Sequence, residues 1–302
     1  MRKIRWSVEV ALVFCFALPF ALLPLKLSLK AGQLLGLLLY FAWVSRRRIA
    51  IDNIEQAVAA GGLSIKVPAK VIARRSFMNL GKSFAGIVKI YFGMGRGIID
   101  SIEARGVENF YKAKEKGKGV LFITGHCGNW ELTALGFGAR GETISVIART
   151  QNNPYLNSIV EKIRSRYGNK VIYKENALMA VLSELRQNRV VGILMDQAVV
   201  PEEGVIIDFL GRGAWTIKIP AIMARRLKTA VVPAFMHREG DKYVGTFYPE
   251  VRFSQDPDPE KAMLEDTKTL TGYIENYIRE HPDEWLWLHR RWKRVPDSYN
   301  AK

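Results

Sequence analysis

Cysteine and histidine are scarce in this chain of 302 residues. It has four histidines and two cysteines, of which Cys15 lies in an apolar run and Cys127 in a short polar motif. One cysteine of each kind does not make a disulfide framework, which fits a reducing compartment. No H-E-x-x-H pattern occurs, and with so few histidines the sequence predicts no metal site.

The common loop patterns of nucleotide-binding proteins and serine hydrolases are also missing. The GKS run at 81–83 ends like a phosphate-binding loop, but Ser76 stands where its first glycine is required. The glycines at 93–97 begin like a dinucleotide fingerprint, but Ile98 replaces the last glycine and no predicted strand precedes them. No G-x-S-x-G occurs, so a serine-hydrolase elbow is absent.

Acidic residues are much fewer than basic residues. The chain has 45 Lys and Arg against 29 Asp and Glu, a formal net charge of +16. Such a surface favours anionic partners, among them nucleic acid, phosphorylated lipid headgroups and an acidic carrier protein. Because no recognised nucleic-acid-binding motif is present, we expect no nucleic-acid partner.

Two long apolar runs open the chain. Residues 10–25 hold no charge, and residues 31–44 lie between two lysines and three arginines. A signal peptide is one interpretation, but the bulky and basic residues 25–30 offer no small-residue cleavage site. A helix over the first run would cover ~24 Å of the ~30 Å hydrocarbon core, which predicts a short span or a helix inserted in one leaflet. The alternative is that both runs are buried core helices of a soluble protein.

From about residue 50 onward, helical patterns alternate with short β-branched runs. Strands are predicted at 119–124, 143–149, 171–173, 190–196 and 229–235, with a further, antiparallel strand at 242–251. Helices are predicted at 67–92, 152–168, 176–188, 216–227 and 258–282. This alternation indicates an α/β fold with a central, mostly parallel sheet flanked by helices, preceded by an apolar N-terminal anchor helix. In such sheets functional side chains gather at the carboxyl ends of the strands.

One of these strand ends carries the motif FITGHCGNWE, at 122–131. If His126 lies in the turn and Glu131 in the first turn of the next helix, the two side chains can meet. A carboxylate bonded to one imidazole nitrogen leaves the other nitrogen free as a base. Asn129 is placed to cap that helix, and backbone N–H groups in the same turn could receive an oxyanion. Cys127, beside the histidine, could be an activated nucleophile or could simply pack beneath the turn.

Four blocks of the sequence carry a family resemblance. HCGNWE resembles the H-x4-D/E motif of the glycerolipid acyltransferase superfamily and, more narrowly, the motif of the bacterial lipid A biosynthesis acyltransferases, also called late or secondary acyltransferases. Residues 146–154, 192–216 and 283–293 are similar to three further blocks of that family, in the same order. The likeness covers essentially the whole chain. Cys127 departs from it, since an aromatic or small residue is expected there.

The resemblance implies a reaction and its participants. A fatty acyl chain would pass from acyl carrier protein to a hydroxyl of an anionic glycolipid, a lipid A precursor, at the cytoplasmic face of the inner membrane. No cofactor is implied. Residues 1–45 would form the membrane-associated segment and residues 46–302 the acyltransferase domain.

The resemblance also gives the motif residues roles. His126 would be the general base and Glu131 its orienting carboxylate, with direct attack of the hydroxyl and no acyl-enzyme. The N–H groups of Gly128–Trp130 are the expected oxyanion site. The predicted substrate-binding residues are Asn129, Arg149, Asp196, Gln197 and Arg212. Residues 289–294 form a basic, tryptophan-flanked tail expected to contact headgroups or the carrier, or to be a solvated helix face.

Two alternatives remain open at this stage. The chain could acylate another glycolipid or phospholipid, such as a phosphatidylinositol mannoside, from acyl-CoA. It could also be a basic membrane-binding protein without activity. Only the second predicts that changing His126 or Glu131 has no effect on acyl transfer.

Overall fold

A seven-stranded sheet forms the centre of the molecule. The structure is a computed structural model that describes residues 2–240, 242–296 and 299. The sheet has the order β1-β9-β8-β2-β5-β3-β4, and every neighbouring pair is parallel except β8 and β9. Its strands are β1 (Ile102–Arg105), β2 (Val120–Thr124), β3 (Ile144–Ala148), β4 (Lys170–Tyr173), β5 (Val190–Leu194), β8 (Ala230–Glu239) and β9 (Lys242–Phe247).

Helices flank this sheet, so the predicted α/β architecture is confirmed. The helices that follow the N-terminal segment are α3 (Val44–Ala59), α4 (Ala69–Tyr91), α5 (Arg96–Asp100), α6 (Val107–Lys114), α7 (Glu131–Gly138), α8 (Pro154–Arg164), α9 (Ala177–Arg186), α10 (Ile219–Leu227) and α11 (Pro259–Glu280). Asn153 caps α8, the helix predicted at 152–168, because its side chain accepts from the N–H groups of Tyr155 and Leu156. The strand predicted at 242–251 corresponds to β9, and its predicted antiparallel direction is confirmed by its pairing with β8.

The sequence did not reveal a two-stranded hairpin that follows β5. Strands β6 (Gly204–Phe209) and β7 (Arg212–Ile217) pair antiparallel, so the helix predicted from 216 starts at Ile219 instead. Leu210 and Gly211 form the connection, with φ of 53° and 78°. A two-residue hairpin of this kind needs positive φ at both positions, and leucine rarely supplies it. The turn is held from outside, where the Leu210 N–H donates to Glu275 Oε2 at 3.2 Å.

Two apolar helices, α1 (Arg2–Leu22) and α2 (Leu25–Ala42), precede the rest of the fold. Both are long and apolar enough to cross a membrane, and within their most apolar windows 17% of α1 and 28% of α2 is buried. Core helices of a soluble protein would be mostly buried, so this exposure opposes that alternative and favours an anchor.

Helix α2 nevertheless packs closely against α4. A Cβ added at Gly32 would lie 2.4 Å from the Gly81 carbonyl oxygen, and one at Gly36 would lie 2.1 Å from the Phe77 oxygen. Only glycine allows this approach, which is typical of helix pairs that contact through small residues. The anchor is therefore firmly joined to the body of the protein.

Candidate functional site

The turn after β2 presents His126 at the carboxyl edge of the sheet. Three backbone hydrogen bonds fix this turn: Gly128 N–H donates to Glu284 O at 2.8 Å, Asn129 N–H to Met236 O at 3.2 Å, and Leu286 N–H to His126 O at 3.2 Å. Gly128 has a φ of +54°, and a Cβ there would lie 1.9 Å from the Met236 oxygen. The turn is thus held between the end of β8 and the segment around residue 285.

Asp196, rather than Glu131, is the hydrogen-bonded partner of His126. It lies two residues after β5, the strand beside β2, and its side chain is only 2% exposed. Its Oδ1 is 2.9 Å from His126 Nδ1, and its Oδ2 accepts from the His126 backbone N–H at 2.9 Å. Trp285 Nε1–H also donates to Oδ2, at 2.8 Å. Three donors therefore fix this carboxylate, which in turn fixes the imidazole.

The expected contact between Glu131 and His126 was wrong. Glu131 begins α7, as predicted, but its carboxylate faces Arg164 at the end of α8. Arg164 Nη2 donates to Oε1 at 2.5 Å and Nε to Oε2 at 3.1 Å, a bidentate pair whose side chains are about one-fifth to one-quarter exposed. The planar guanidinium matches both carboxylate oxygens and satisfies them locally. Glu131 still acts on His126 through its charge.

The pKa of His126 is raised above the ordinary value of a histidine. Burial by itself would lower the pKa, but the charge and hydrogen bond of Asp196 outweigh it. The charge of Glu131 adds to the rise and that of Arg164 opposes it. The pKa of Asp196 is held far below its usual range, because His126 and Trp285 stabilise the carboxylate more than burial penalises it.

Gln197, the next residue along the chain, also contacts the imidazole. Its Nε2 is 3.1 Å from His126 Nε2 and 3.3 Å from Nδ1, so its amide lies near both ring nitrogens. With Asp196 accepting from Nδ1–H, the Nε2 atom carries the lone pair and can accept from the Gln197 amide. The predicted pair at 196–197 therefore does contact the histidine.

Asn129 lies in the turn but does not cap α7. Trp130 occupies the N-cap position, and no side-chain capping bond is formed there. The Asn129 side chain is buried. The Gly128 and Asn129 N–H groups already bond to backbone carbonyls, so of the three expected oxyanion donors only Trp130 has no partner among the described residues.

The two predicted arginines lie in different places. Arg149 is exposed directly after β3, and because β3, β5 and β2 are parallel neighbours in the sheet, it lies at the same sheet edge as His126. Arg212 begins β7 and stacks over the Trp292 ring at 4.6 Å. Burial lowers the pKa of Arg212, and the charge of Asp52 opposes that effect. Its stacking on Trp292 thus connects the hairpin with the C-terminal segment.

The basic C-terminal tail is partly interior: Arg291 is buried, whereas Arg290, Lys293 and Arg294 are exposed. Contact of these three with headgroups or the carrier stays a prediction. Arg291 is completely buried: its Nη1 donates to Trp215 O at 2.6 Å and its Nη2 to Thr216 Oγ1 at 2.5 Å. Its guanidinium also stacks on Phe209 at 4.5 Å. Arg291 therefore attaches the tail to the hairpin and is unavailable to a headgroup or a carrier.

Arg164 and Trp285 were not predicted as site residues, and His289 was predicted only as part of the basic tail. The first two carry the contacts above. Burial lowers the pKa of His289 to about 4, while the charge of Asp196 raises it and that of His126 lowers it, so His289 lies within their electrostatic reach. Its position in the block at 283–293 was the one available signal.

Cys127 is buried, with its backbone paired to that of Trp285. Burial raises the pKa of the thiol well above its ordinary value, and the charge of Asp196 raises it further. A thiol of this kind stays protonated, which opposes the nucleophile interpretation. Within the described part of the chain, no three His, Cys, Asp or Glu side chains converge as metal ligands would.

Comparison with known proteins gives a consistent result. The family model described as bacterial lipid A biosynthesis acyltransferase matches residues 3–294. A lipid A biosynthesis acyltransferase of Haemophilus influenzae is 24% identical, over 94% of this chain and 86% of its own. The lipid A biosynthesis lauroyltransferase of Escherichia coli is 25% identical over 93% and 90%. The myristoyltransferase of Escherichia coli is 19% identical over 62% and 57%.

Proposed function

Since the chain belongs to the bacterial lipid A biosynthesis acyltransferases, we propose that it transfers a fatty acyl chain from acyl carrier protein to a hydroxyl of a lipid A precursor, forming an ester. The reaction takes place at the cytoplasmic face of the inner membrane, where α1 and α2 hold the enzyme. The observation that carries this proposal is the His126–Asp196 pair at the carboxyl edge of the sheet.

His126 acts as the general base. A hydroxyl is a weak nucleophile at neutral pH, so its proton must leave as its oxygen attacks the thioester carbon. With Nδ1–H bonded to Asp196, the Nε2 lone pair takes this proton as the hydroxyl attacks. The tetrahedral intermediate then collapses, the C–S bond breaks, and the proton on His126 passes to the departing thiolate.

The remaining site residues stabilise charges that form during the reaction and hold the imidazole and the substrates in position. Asp196 stabilises the imidazolium that forms during the reaction and fixes the ring. Glu131 adds negative charge near the ring and is itself held by Arg164. The Trp130 N–H is the best remaining candidate for the oxyanion, and the exposed Arg149 is placed to contact an anionic part of a substrate. Phosphate binding by Arg212 stays a prediction.

The test is an acyl-transfer assay with the purified full chain, a lipid A precursor and either acyl carrier protein thioester or acyl-CoA. We expect product with the carrier thioester, and a loss of ~10²–10⁴-fold in rate for His126→Ala. His281→Ala is the matched control, because that ring packs against His237 and Tyr277 instead. Thermal unfolding of each variant checks the fold.

The results of the acyl-transfer assay distinguish the proposed function from a different donor or acceptor and from a binding protein without activity. Undiminished transfer by His126→Ala would refute the proposed base. Transfer from acyl-CoA alone, or to a different glycolipid alone, would keep the chemistry and refute the donor or the acceptor. Complete absence of transfer by the unmodified protein with every donor and acceptor would favour a binding protein without activity.

A further inference from the structure

A cavity of ≈ 380 Å³ lies between the anchor helix α2 and the body of the protein. Helices α2 and α4, the end of β8 and the segment before Trp285 form its walls. Its charged lining residues are Lys26, Lys30, Lys82, Arg238, Asp283 and Glu284. Strand β8 runs past the end of β2, to Glu239, so the cavity opens at the same edge of the sheet as His126.

Four cations and two carboxylates line this cavity, which leaves it short of negative charge. One of the carboxylates is already engaged, because Glu284 Oε2 accepts from Tyr277 O–H at 2.6 Å. Burial and the nearby charge of Arg238 lower the pKa of Lys82, and Asp283 and Glu284 only partly oppose this. Lys82 Nζ donates to Asn79 Oδ1 at 3.3 Å, and Arg238 Nε donates to Gly240 O at 2.9 Å. An anion bound here would offset the excess positive charge of the lining and accept hydrogen bonds from Lys30 and Lys82.

The lining of the cavity continues onto an apolar surface of α2. Lys26, Lys30 and Gln33 recur at the spacing of one helix face and line the cavity. A neighbouring face carries exposed leucines and one phenylalanine: Leu27 at 51%, Leu34 at 55%, Leu38 at 58% and Phe41 at 58%. A ligand with an anionic head and apolar chains would fit both faces of α2 together.

The cavity wall is also part of the scaffold of the candidate site. Asn79 Nδ2 donates to Asp283 O at 2.9 Å, and the Glu284 carbonyl accepts the Gly128 N–H of the His126 turn. The next residue, Trp285, donates to Asp196. A ligand held in this cavity is therefore positioned directly against the segment that orients the base.

We propose that this cavity binds a phosphate group of the membrane-embedded glycolipid acceptor, whose acyl chains lie along the exposed leucine face of α2. The identity of the ligand rests on the proposed function, whereas the anion site itself rests on the excess of cationic over anionic side chains in the lining. Helix α2 thus acts as part of the acceptor site as well as an anchor.

Binding is measured with the inactive but full-length His126→Ala protein in lipid nanodiscs, so that the readout does not depend on turnover. The probes are the lipid A precursor, the same glycolipid with its phosphates removed, phosphatidylglycerol, and inorganic phosphate. The pocket variants are Lys30→Gln and Lys82→Gln, introduced into that background. Lys112→Gln, a change of an exposed lysine on α6, is the matched control.

We expect each pocket variant, and removal of the phosphates, to weaken acceptor binding by ~10-fold or more, as loss of one charge-assisted contact does. In the otherwise unmodified enzyme, the same variants should raise KM for the acceptor and leave kcat and KM for the donor nearly unchanged. The Lys112→Gln control should alter none of these quantities.

Three results would overturn the proposal. Pocket variants that bind the acceptor as tightly as Lys112→Gln would show that the cavity does not hold it. Equal binding of the phosphate-free glycolipid would exclude phosphate as the anchor. Equal competition by phosphatidylglycerol or inorganic phosphate would show a general anion site. Lysine-dependent binding of the acceptor without any acyl transfer by the unmodified enzyme would instead refute the proposed function and leave this inference standing.

Discussion

Two carboxylates act on His126, and they come from different regions of the molecule. Asp196, at the end of β5, is 2% exposed and its oxygens accept from three donors, two of them on His126. Glu131, in the first turn of α7, is 22% exposed and is bonded bidentately to Arg164. One carboxylate is committed to the base, and the other is largely neutralised by an arginine.

This difference shows that two regions of the fold contribute to the site in different ways, one by direct contact with His126 and one by charge. Strand β5, the neighbour of β2, brings Asp196 into direct contact with His126, although the two residues are 70 positions apart in sequence. The residue five positions from His126 contributes a longer-range charge, which Arg164 opposes at His126. We therefore expect changes at Asp196 to have larger effects than changes at Glu131.

The largest effect is expected for Asp196→Asn. The substitution keeps the shape but removes the charge, and an amide can hold the wrong tautomer of His126, so we expect a rate loss of ~10²-fold or more. The rate depends on neutral His126 and rises with pH through its pKa. Because Asp196 raises that pKa and burial lowers it, the inflection of the pH–rate profile should move to lower pH. Steady-state kinetics across the acidic and neutral range measures both.

The matched control is Asp100→Asn, whose carboxylate forms an exposed ion pair with Arg96 at 3.1 Å. Such surface pairs contribute ~0–1 kcal/mol, so neither the rate nor the inflection should change. An unchanged rate for Asp196→Asn would remove this carboxylate from the mechanism and return the orienting role to Glu131.

Local sequence patterns predicted the backbone of the site but not its side-chain pairing. A β-branched run followed by a glycine-containing turn placed His126 at a strand end and Glu131 in the following helix, and both placements are correct. The spacing of His126 and Glu131 does not indicate the order of the strands in the sheet. Only the adjacency of β2 and β5 brings Asp196 to His126, and adjacency is a long-range property.

Two other features that the sequence did not predict, the hairpin and the burial of Arg291, also have physical causes. The hairpin was hidden because Leu210 adopts a positive φ that its side chain disfavours and that contacts from α11 impose. Arg291 has the sequence signature of a solvated charge run. Its burial is sustained by hydrogen bonds to Trp215 and Thr216, partners that the hairpin provides.

The next largest effects should come from the Glu131–Arg164 pair, where the sign of the change is diagnostic. Glu131 raises the pKa of His126 and Arg164 lowers it. Glu131→Gln should therefore move the pH–rate inflection to lower pH, and Arg164→Gln should move it to higher pH. Each single variant leaves a partly buried charge unpaired, which should cost about 1–3 kcal/mol in the free energy of unfolding.

The double variant Glu131→Gln with Arg164→Gln is the internal control. It removes both charges, so the inflection should return toward that of the unmodified enzyme and part of the lost stability should be recovered. Shifts in the same direction for both single variants would mean that the pair acts on the position of His126 rather than on its charge.

The smallest effect is expected at Cys127, which lies between the two catalytic candidates in sequence. Cys127→Ser should leave the rate within about twofold, because the buried thiol stays protonated and takes no part in the proposed direct attack. Cys15→Ser, in α1, is the matched control. Rapid quenching followed by mass spectrometry of the protein tests for an acyl-enzyme. An acyl group found on Cys127, together with loss of transfer in Cys127→Ser alone, would replace direct attack by a two-step mechanism in which His126 serves the thiol.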